Sequence, residues 1–535
     1  MELRKICNIV LASVIAVSAA WAVPAKPGAI IRTMEDGTQK AVFLHGDAFG
    51  HYMTDEQGQW LDEMTLLPLS EQAKAERQEG IRQQAQVRRA TQEKKITGDL
   101  NLAPRGLLIM VNFADKKFVT PIDTIQNMIN GSNFTRNYSY DIKYEGKTYH
   151  YDITSSGSAK QYFHDVSWGQ YNPVFDVVGP VTISKEYAYY GKDYGRAGND
   201  MHPDEMVSEA CELADLLYDV DFTQYDNNND GYVDFVYVLY AGYGQADGGE
   251  ANTVWPHNYK LSYRSNKCVI DGKRIDNYAC SNEIQYASDF YNGIGTFCHE
   301  FSHVIGLPDL YCTEDVKPEP HTLFSWDILD QGPYNNDGNT PPAYSAYERF
   351  YCGWLTPRVL NGEEKVTLHP LNDSHEALLM CEGNSHNLDG LNPNPATFYM
   401  LENRALDGWD KYLPGRGMLI TKIQYNANTW YNNTVNNKAS KMGVDIMEAK
   451  ENTENRAKSS DAFPNGAKYY YGFADHDLEN IKYGVNGAIT FDFYSPYLAV
   501  EEVEVDQEQV QKMLLNGQLL IRRGEKTFDI LGREL

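Results

Sequence analysis

The stretch "GTFCHEFSHVIGLPDLY", residues 295 to 311, decides how the rest of the chain is read. Ile294, Phe297, Phe301, Val304 and Ile305 recur at three- and four-residue spacing and form one apolar stripe of a helix. His299 and His303 fall on another face, one turn apart, so both rings can converge on a single ion. Glu300 is turned about 100° from His299, beside such an ion without ligating it, which is where a general base belongs. Gly306 suits the left-handed end of a helix, and Pro308 cannot continue one. A turn there can swing Asp309 back towards the two histidines. Two imidazoles and a carboxylate around an open fourth position are the arrangement of a catalytic zinc, whereas structural zinc is closed by four ligands, usually thiolates. Cys298 and Cys312 raise that structural alternative, but Cys298 points about 100° away from His299. The bland alternative is a core helix with satisfied polar residues; Gly and Asp at two further set places make it much the weaker reading.

Working outward, "RGLLIMVNFAD" from residue 105 and "DFVYVLYAGYG" at 234–244 read as strands buried on both faces. Between them "PDEMVSEACELADLLYDV" puts Met206, Ala210, Leu213, Ala214 and Leu217 on one helical stripe. Alternating strands and helices predict an α/β (α+β) domain over residues 101–360. Beyond "RFYCGWLTP" the pattern becomes short segments split by Gly, Asn, Asp and Pro, which predicts a β-rich, sandwich-like domain over 361–495. Residues 496–535 read as a small separate tail. In front, residues 23 to about 70 form a small β-rich module with Asp-Gly turns. A polar, Gln-rich stretch then runs to about residue 100 as a linker or exposed helix suited to proteolytic nicking, for instance after Arg88-Arg89 or near Lys95.

The 535 residues carry 47 Lys+Arg against 74 Asp+Glu, a formal charge of −27. A polyanion of this size is repelled by nucleic acid and anionic lipid, so neither is a main partner. The opening "MELRKICNIVLASVIAVSAAWAVPAKPG" has Arg4 and Lys5 before an apolar run closing on Ala20-Trp21-Ala22, the layout of a secretory signal peptide over 1–22, cut after Ala22. The run is shorter than the ~20 apolar residues a span requires, and no later segment is long and apolar enough. A secreted, extracellular or surface-held monomer is expected. Seven cysteines follow the leader, which is no disulfide framework; core thiols with one or two bridges are expected, Cys268 and Cys280 being able to close a short loop.

These residues resemble the immune inhibitor A family of bacterial secreted metallopeptidases, relatives of the metzincins, whose zinc motif runs HExxHxxGxxD. The resemblance extends to "LHGDAFGHYMTDEQGQWL" as propeptide, to "YFHDVSWGQYNPVFDVVGPVTI" and "NTVWPH" in the catalytic domain, and to "TPPAYSAYERFYCGWL", "FYMLENRALDGWDKYLPGRGMLITKI" and "WYNNTVN" beyond the motif. It implies a metzincin-like catalytic domain behind a propeptide, with His299, His303 and Asp309 holding zinc and Glu300 as base. It also implies a zymogen whose mature form hydrolyses peptide bonds of extracellular proteins. The stretch "FSWDILDQGPY" departs from it, with Leu329 where a metzincin methionine turn is expected; leucine has similar volume and no polar atom, so packing there can persist. Tyr334 and Tyr344 are candidate donors to the oxyanion.

Three further expectations follow. "DNNNDGYVD" places Asp226, Asn228, Asp230 and Asp234 around Gly231 like the start of an EF-hand loop, with Tyr237 in place of the bidentate glutamate, which predicts calcium without the EF helices. An Asn/Asp turn leading into a strand is the alternative. The prosegment can occupy the zinc through His45, Asp47 or His51. The tail, chiefly "DILGREL", resembles in short form the C-terminal domains of proteins exported by the type IX route. Against a peptidase stand two rivals, a non-catalytic adhesin that retains the fold and a zinc hydrolase of other substrates.

Overall fold

The computed structural model describes residues 22–34, 37–89, 103–314, 316, 318–473, 476–495, 510–515, 518–523 and 526–528. Most of the expected leader, Lys95 and the terminal "DILGREL" lie outside these residues.

A five-stranded sheet runs in the order His257–Lys260, Asn277–Ile284, Val236–Tyr243, Arg105–Asn112, Val174–Thr182, all parallel except the antiparallel edge His257–Lys260. Side chains alternate across each strand, and both sets are apolar here. Leu108, Met110, Tyr237, Leu239 and Ala279 face the core that holds the helices Ile122–Asn130, Ala159–Val166 and Gly295–Ile305. Leu107, Ile109, Val111, Val236, Val238 and Tyr240 face the opposite core, which is capped by the helix Pro203–Tyr218. Double burial is why these strands read as unbroken apolar runs. On Pro203–Tyr218 the buried face is Met206, Val207, Ala210, Cys211 and Ala214. Leu217 is 60 % exposed, contrary to the expected stripe; it lies in the last turn, beyond the group of buried residues.

The helix Gly295–Ile305 is buried against the sheet on its aromatic side. Phe297 meets Phe175 and Tyr237, and Phe301 meets Phe163, Phe175 and Phe235, with ring centroids 4.7–5.0 Å apart. Gly306 ends the helix at φ 106°, where a β-carbon would be strained.

Residues 358–494 add two sheets. One runs Arg358–Val359, Leu378–Met380, Thr397–Arg404, Gly417–Gln424, Val444–Ile446; the other runs Glu364–Leu368, Ile489–Tyr494, His476–Tyr483, Tyr470–Phe473. Leu378, Met380, Leu401, Met418 and Ile420 face a core shared with the second of these sheets. The alternate residues Leu379, Phe398, Met400, Leu419 and Ile423 belong to the same core as Phe297 and Phe301. Near residue 360 the sheet therefore changes while the core continues.

The N-terminal residues, expected to be the prosegment, form a four-stranded antiparallel sheet, Ile30–Thr33, Gln39–Asp47, Gly50–Thr54, Trp60–Leu61, followed by the polar helix Glu71–Arg89. Tyr52 stacks on Trp60 at 3.8 Å, and Ile81 of the helix closes that small core. All seven cysteines of the described residues are free thiols, so the expected Cys268–Cys280 bridge is absent: both are buried in an apolar core, with Cys280 Sγ 3.5 Å from His257 Nδ1. No helix of the described residues is long and apolar enough to cross a membrane.

Candidate metal centre and cleft

His299 Nε2 and His303 Nε2 lie 3.2 Å apart, and Asp309 Oδ1 lies 3.3 and 3.2 Å from them. The three atoms form a nearly equilateral triangle. Ligands bound at 2.0–2.1 Å around a tetrahedral ion stand roughly 3.3 Å from one another. The opposite ring nitrogens are committed: His299 Nδ1 is 2.7 Å from the Ile328 carbonyl and His303 Nδ1 2.8 Å from the Leu307 carbonyl. Each Nδ1 therefore carries a hydrogen and donates it, so that Nε2 is the ligand atom each ring turns to the centre, beside a carboxylate oxygen. Two imidazole nitrogens and one carboxylate oxygen converging at this spacing fit a cation, and the two-nitrogen, one-oxygen set suits zinc.

The elements around the triangle hold it. Ile328 fixes His299, and the neighbouring Leu329 is fully buried with its carbonyl accepting the Leu310 amide at 2.8 Å. Leucine is thus packed at this position without a gap in its backbone hydrogen bonding. Asp309 is oriented from residues 358–494: Asn433 Nδ2 donates to Asp309 Oδ2 at 2.6 Å, and the Asp309 amide donates to Asn433 Oδ1 at 2.8 Å. Asn436 Nδ2 donates to the Leu310 carbonyl at 2.7 Å, and Asn437 Oδ1 accepts the Thr313 amide at 2.8 Å. The run "NNTVNN" is thus a clamp on residues 309–313, which sequence reasoning missed. Asparagines at 433, 436 and 437 were its visible signal.

Glu300 is fully buried beside the triangle. Burial pushes its carboxyl up to about 8 against the pull of His299, with Asp309 pushing the same way as burial. Its Oε1 accepts the Val23 amide at 2.9 Å, while Oε2 has no hydrogen-bond partner among the described residues. Residues 22–24 therefore lie in the cleft. Tyr311 Oη donates to the Ala22 carbonyl at 2.5 Å, Trp255 Nε1 to the Val23 carbonyl at 3.2 Å and Tyr334 Oη to the Pro24 carbonyl at 2.6 Å.

The structure revises several expected roles. Tyr334 reaches the cleft but faces the carbonyl of Pro24, two residues past Ala22. Tyr344 does not reach it, because its hydroxyl is spent on Ser302 Oγ at 2.5 Å behind the helix and its ring stacks on Trp354. Among the prosegment candidates, His45 bonds Thr54 and stacks on Tyr52, and Asp47 accepts from Tyr311 at 3.1 Å. His51 belongs to a second buried cluster: its Nε2 stands 3.5 Å from both Glu63 Oε2 and Asp193 Oδ2, with Arg77 Nη2 3.2 Å from Glu63 Oε1. Three of these four residues come from the prosegment and Asp193 from the body of the protein. Burial alone would lower the His51 pKa, but Glu63 and Asp193 raise it to about 10; burial would raise Glu63, but His51 and Arg77 draw it down to about 2.

The 226–234 loop closes on itself. Asp226 accepts the Asp230 and Gly231 amides at 3.0 Å each, and Lys273 Nζ sits 2.6 Å from Asp226 Oδ2. Asn228 accepts the Asp230 amide at 2.9 Å, and Asp234 accepts from Asn227. Among the described residues, the clusters of three His, Cys, Asp or Glu close enough to share an ion are His299, His303, Asp309 and His51, Glu63, Asp193; the loop is not one of them.

Residues 97–353 match the family model of the immune inhibitor A peptidase M6 catalytic domain. Over this segment the chain is similar to the immune inhibitor A peptidases. Its zinc-type triangle and Glu300 all fall inside the matched stretch. Among curated relatives, the Pre-pro-metalloprotease PrtV of Vibrio cholerae serotype O1 (strain M66-2) is 26 % identical over 288 residues, covering 47 % of this chain and 31 % of that protein. Immune inhibitor A of Bacillus thuringiensis subsp. alesti is 25 % identical over 279 residues, covering 47 % of this chain and 40 % of that protein. The chain thus spans well under half the length of the curated relatives it matches.

Proposed function

We propose that this chain is a secreted zinc-dependent endopeptidase, metzincin-like in its catalytic domain and followed by a β-rich sandwich, made as a zymogen that acts on extracellular proteins or peptides. The observation that carries this reading is the triangle of His299, His303 and Asp309, whose three ligand atoms stand 3.2–3.3 Å apart, beside a buried carboxylate that already holds a peptide N–H. Bound zinc would supply the Lewis acid that polarises a scissile carbonyl and acidifies water. Glu300 would take the proton of the attacking water and pass it to the leaving nitrogen, the atom that Val23 N stands in for. Asn433 would keep Asp309 aimed at the ion.

Latency has equally direct support. Val23 occupies Glu300 Oε1, and Ala22 and Val23 are fully buried, so a substrate cannot enter until residues 22–25 leave. Calcium at Asp226, Asn228, Asp230 and Asp234 rests on the oxygen spacing alone, and the ion would have to displace Lys273 from Asp226.

The experiment compares the chain from Val23 with the same chain freed of residues 23–100, each beside Glu300→Ala, by elemental analysis and casein cleavage. One zinc per chain, cleavage only after prosegment removal, and loss of cleavage with zinc retained in Glu300→Ala are expected. Zinc without cleavage of casein or of a peptide library would replace the peptidase by a binding protein or a hydrolase of other substrates.

A further inference from the structure

In the continuous chain, the two ends of one peptide bond are held by two different side chains. The nitrogen of the Ala22–Val23 bond donates to Glu300 Oε1 at 2.9 Å, and its carbonyl oxygen accepts from Tyr311 Oη at 2.5 Å. The next two carbonyls are held in turn by Trp255 and Tyr334, and the Lys26 amide donates to the Ala246 carbonyl at 2.8 Å. Four of the five residues 22–26 are thus bound through their backbones, as a cleft binds a peptide of any sequence. The segment lies as a substrate would, with the bond to be broken between a carboxylate and a phenol.

Resting on the peptidase reading above, we propose that Tyr311 is a catalytic residue, the hydrogen-bond donor to the oxygen of the scissile carbonyl. Water oxygen forms a bond to the carbonyl carbon while Glu300 takes the water proton. The carbonyl π pair moves onto the oxygen, which Tyr311 Oη–H holds. That pair then reforms the double bond, the C–N bond breaks, and the proton on Glu300 passes to the nitrogen. Tyr311 keeps its own proton throughout, so acid and amine are the sole products. A donor already aimed in a buried site needs no reorganisation as charge develops, which is where such a bond contributes most.

The placement of Tyr311 is built rather than incidental. It follows Asp309 by two residues, in the segment clamped by Asn433, Asn436 and Asn437, and Leu310 between them is tied to Leu329. The ring is buried, so the hydroxyl has little freedom. In the continuous chain its single proton faces two acceptors, the Ala22 carbonyl and Asp47 Oδ2 at 3.1 Å. Asp47 departs with the prosegment, which removes one of these two competitors for the proton. Tyr334, by contrast, meets the carbonyl two residues further on and positions the chain without touching the reacting atoms. A leader cut after Ala22 removes the Ala22 carbonyl from the zymogen; the continuous chain shows how a longer peptide lies.

The test uses the enzyme with its prosegment removed. Tyr311→Phe deletes one oxygen, and kcat for a fluorogenic peptide is expected to fall about a hundredfold, the scale of losing one such donor, while KM, zinc content and thermal unfolding stay near wild type. Unchanged kcat, or a fall matched by lost zinc, overturns the assignment. A second measurement needs no variant: in a crystal structure of the wild type with a phosphonate pseudopeptide, the phosphonyl oxygen should lie about 2.7 Å from Tyr311 Oη, and a separation beyond hydrogen-bond reach overturns the proposal. A wild type that holds zinc and cuts no peptide overturns the peptidase reading and this assignment together. One that cuts while Tyr311→Phe equals it overturns this assignment alone.

Discussion

Asp309 and Asn433, 124 residues apart, bond each other twice: the aspartate's Oδ2 accepts the asparagine amide at 2.6 Å, and the aspartate's backbone N–H returns a bond at 2.8 Å. One oxygen of Asp309 is thereby spent outward, and the other is left facing His299 and His303. The third ligand is aimed by residues far outside the motif.

Asn433→Leu, close in size and unable to make either bond, is expected to weaken zinc binding by about 10- to 100-fold, the usual cost of losing a partner behind a metal ligand. Competition against a chromogenic chelator measures it. Asn433→Asp should do worse, because it sets a second carboxylate against Asp309 Oδ2.

Removing zinc with a chelator should lower the thermal midpoint of the full chain, because an ion that binds only the folded state stabilises it in proportion to the logarithm of its free concentration. His303→Ala should have a lower midpoint than wild type in zinc and show almost no further shift with chelator. Equal chelator shifts in both proteins would remove the ion from this site.

The prosegment cluster gives a pH dependence with a definite sign. His51, raised from 6.5 to about 10, contributes stability fully present below pH 6.5 and lost as pH rises towards 10; Glu63, lowered from 4.5 to about 2, contributes stability present above pH 4.5 and lost as pH falls towards 2. The unfolding midpoint of the full chain, followed against pH, should therefore be highest between about pH 4.5 and 6.5 on this linkage. His51→Gln should flatten the alkaline limb and cost roughly 3–5 kcal/mol, since Glu63 and Asp193 lose the cation buried between them.

Tyr334→Phe removes the donor to the Pro24 carbonyl. If that carbonyl marks a substrate subsite, KM should rise several-fold with kcat nearly retained, because a bond made equally in ground and transition states acts through binding. Steady-state kinetics on a peptide long enough to reach the subsite checks it.

Ending the chain at residue 357 should prevent folding altogether. The residues lost include Leu379, Phe398, Met400 and Leu419, which share one core with Phe297 and Phe301. Circular dichroism and limited proteolysis would show this, and a folded, protease-resistant product would mean the two cores are separable.

By itself the sequence determined the local parts of this protein. Spacing put His299 and His303 on one helical face, Gly306 and Pro308 ended that helix, and unbroken apolar runs marked strands covered on both sides. Each of these depends on neighbours within a few residues, whose geometry is set by the periods of helix and strand. Tertiary structure alone decided what meets across long separations: Asn433 behind Asp309, Val23 on Glu300, Tyr311 rather than Tyr344 facing a cleft carbonyl, and His51 between Glu63 and Asp193. It also turned an expected boundary near residue 360 into one continuous core. Asparagine, tyrosine and valine carry no local signature of these roles, because one hydrogen bond depends on two groups arriving within about 3 Å, a condition that the packing of the whole chain satisfies and no period in the sequence records.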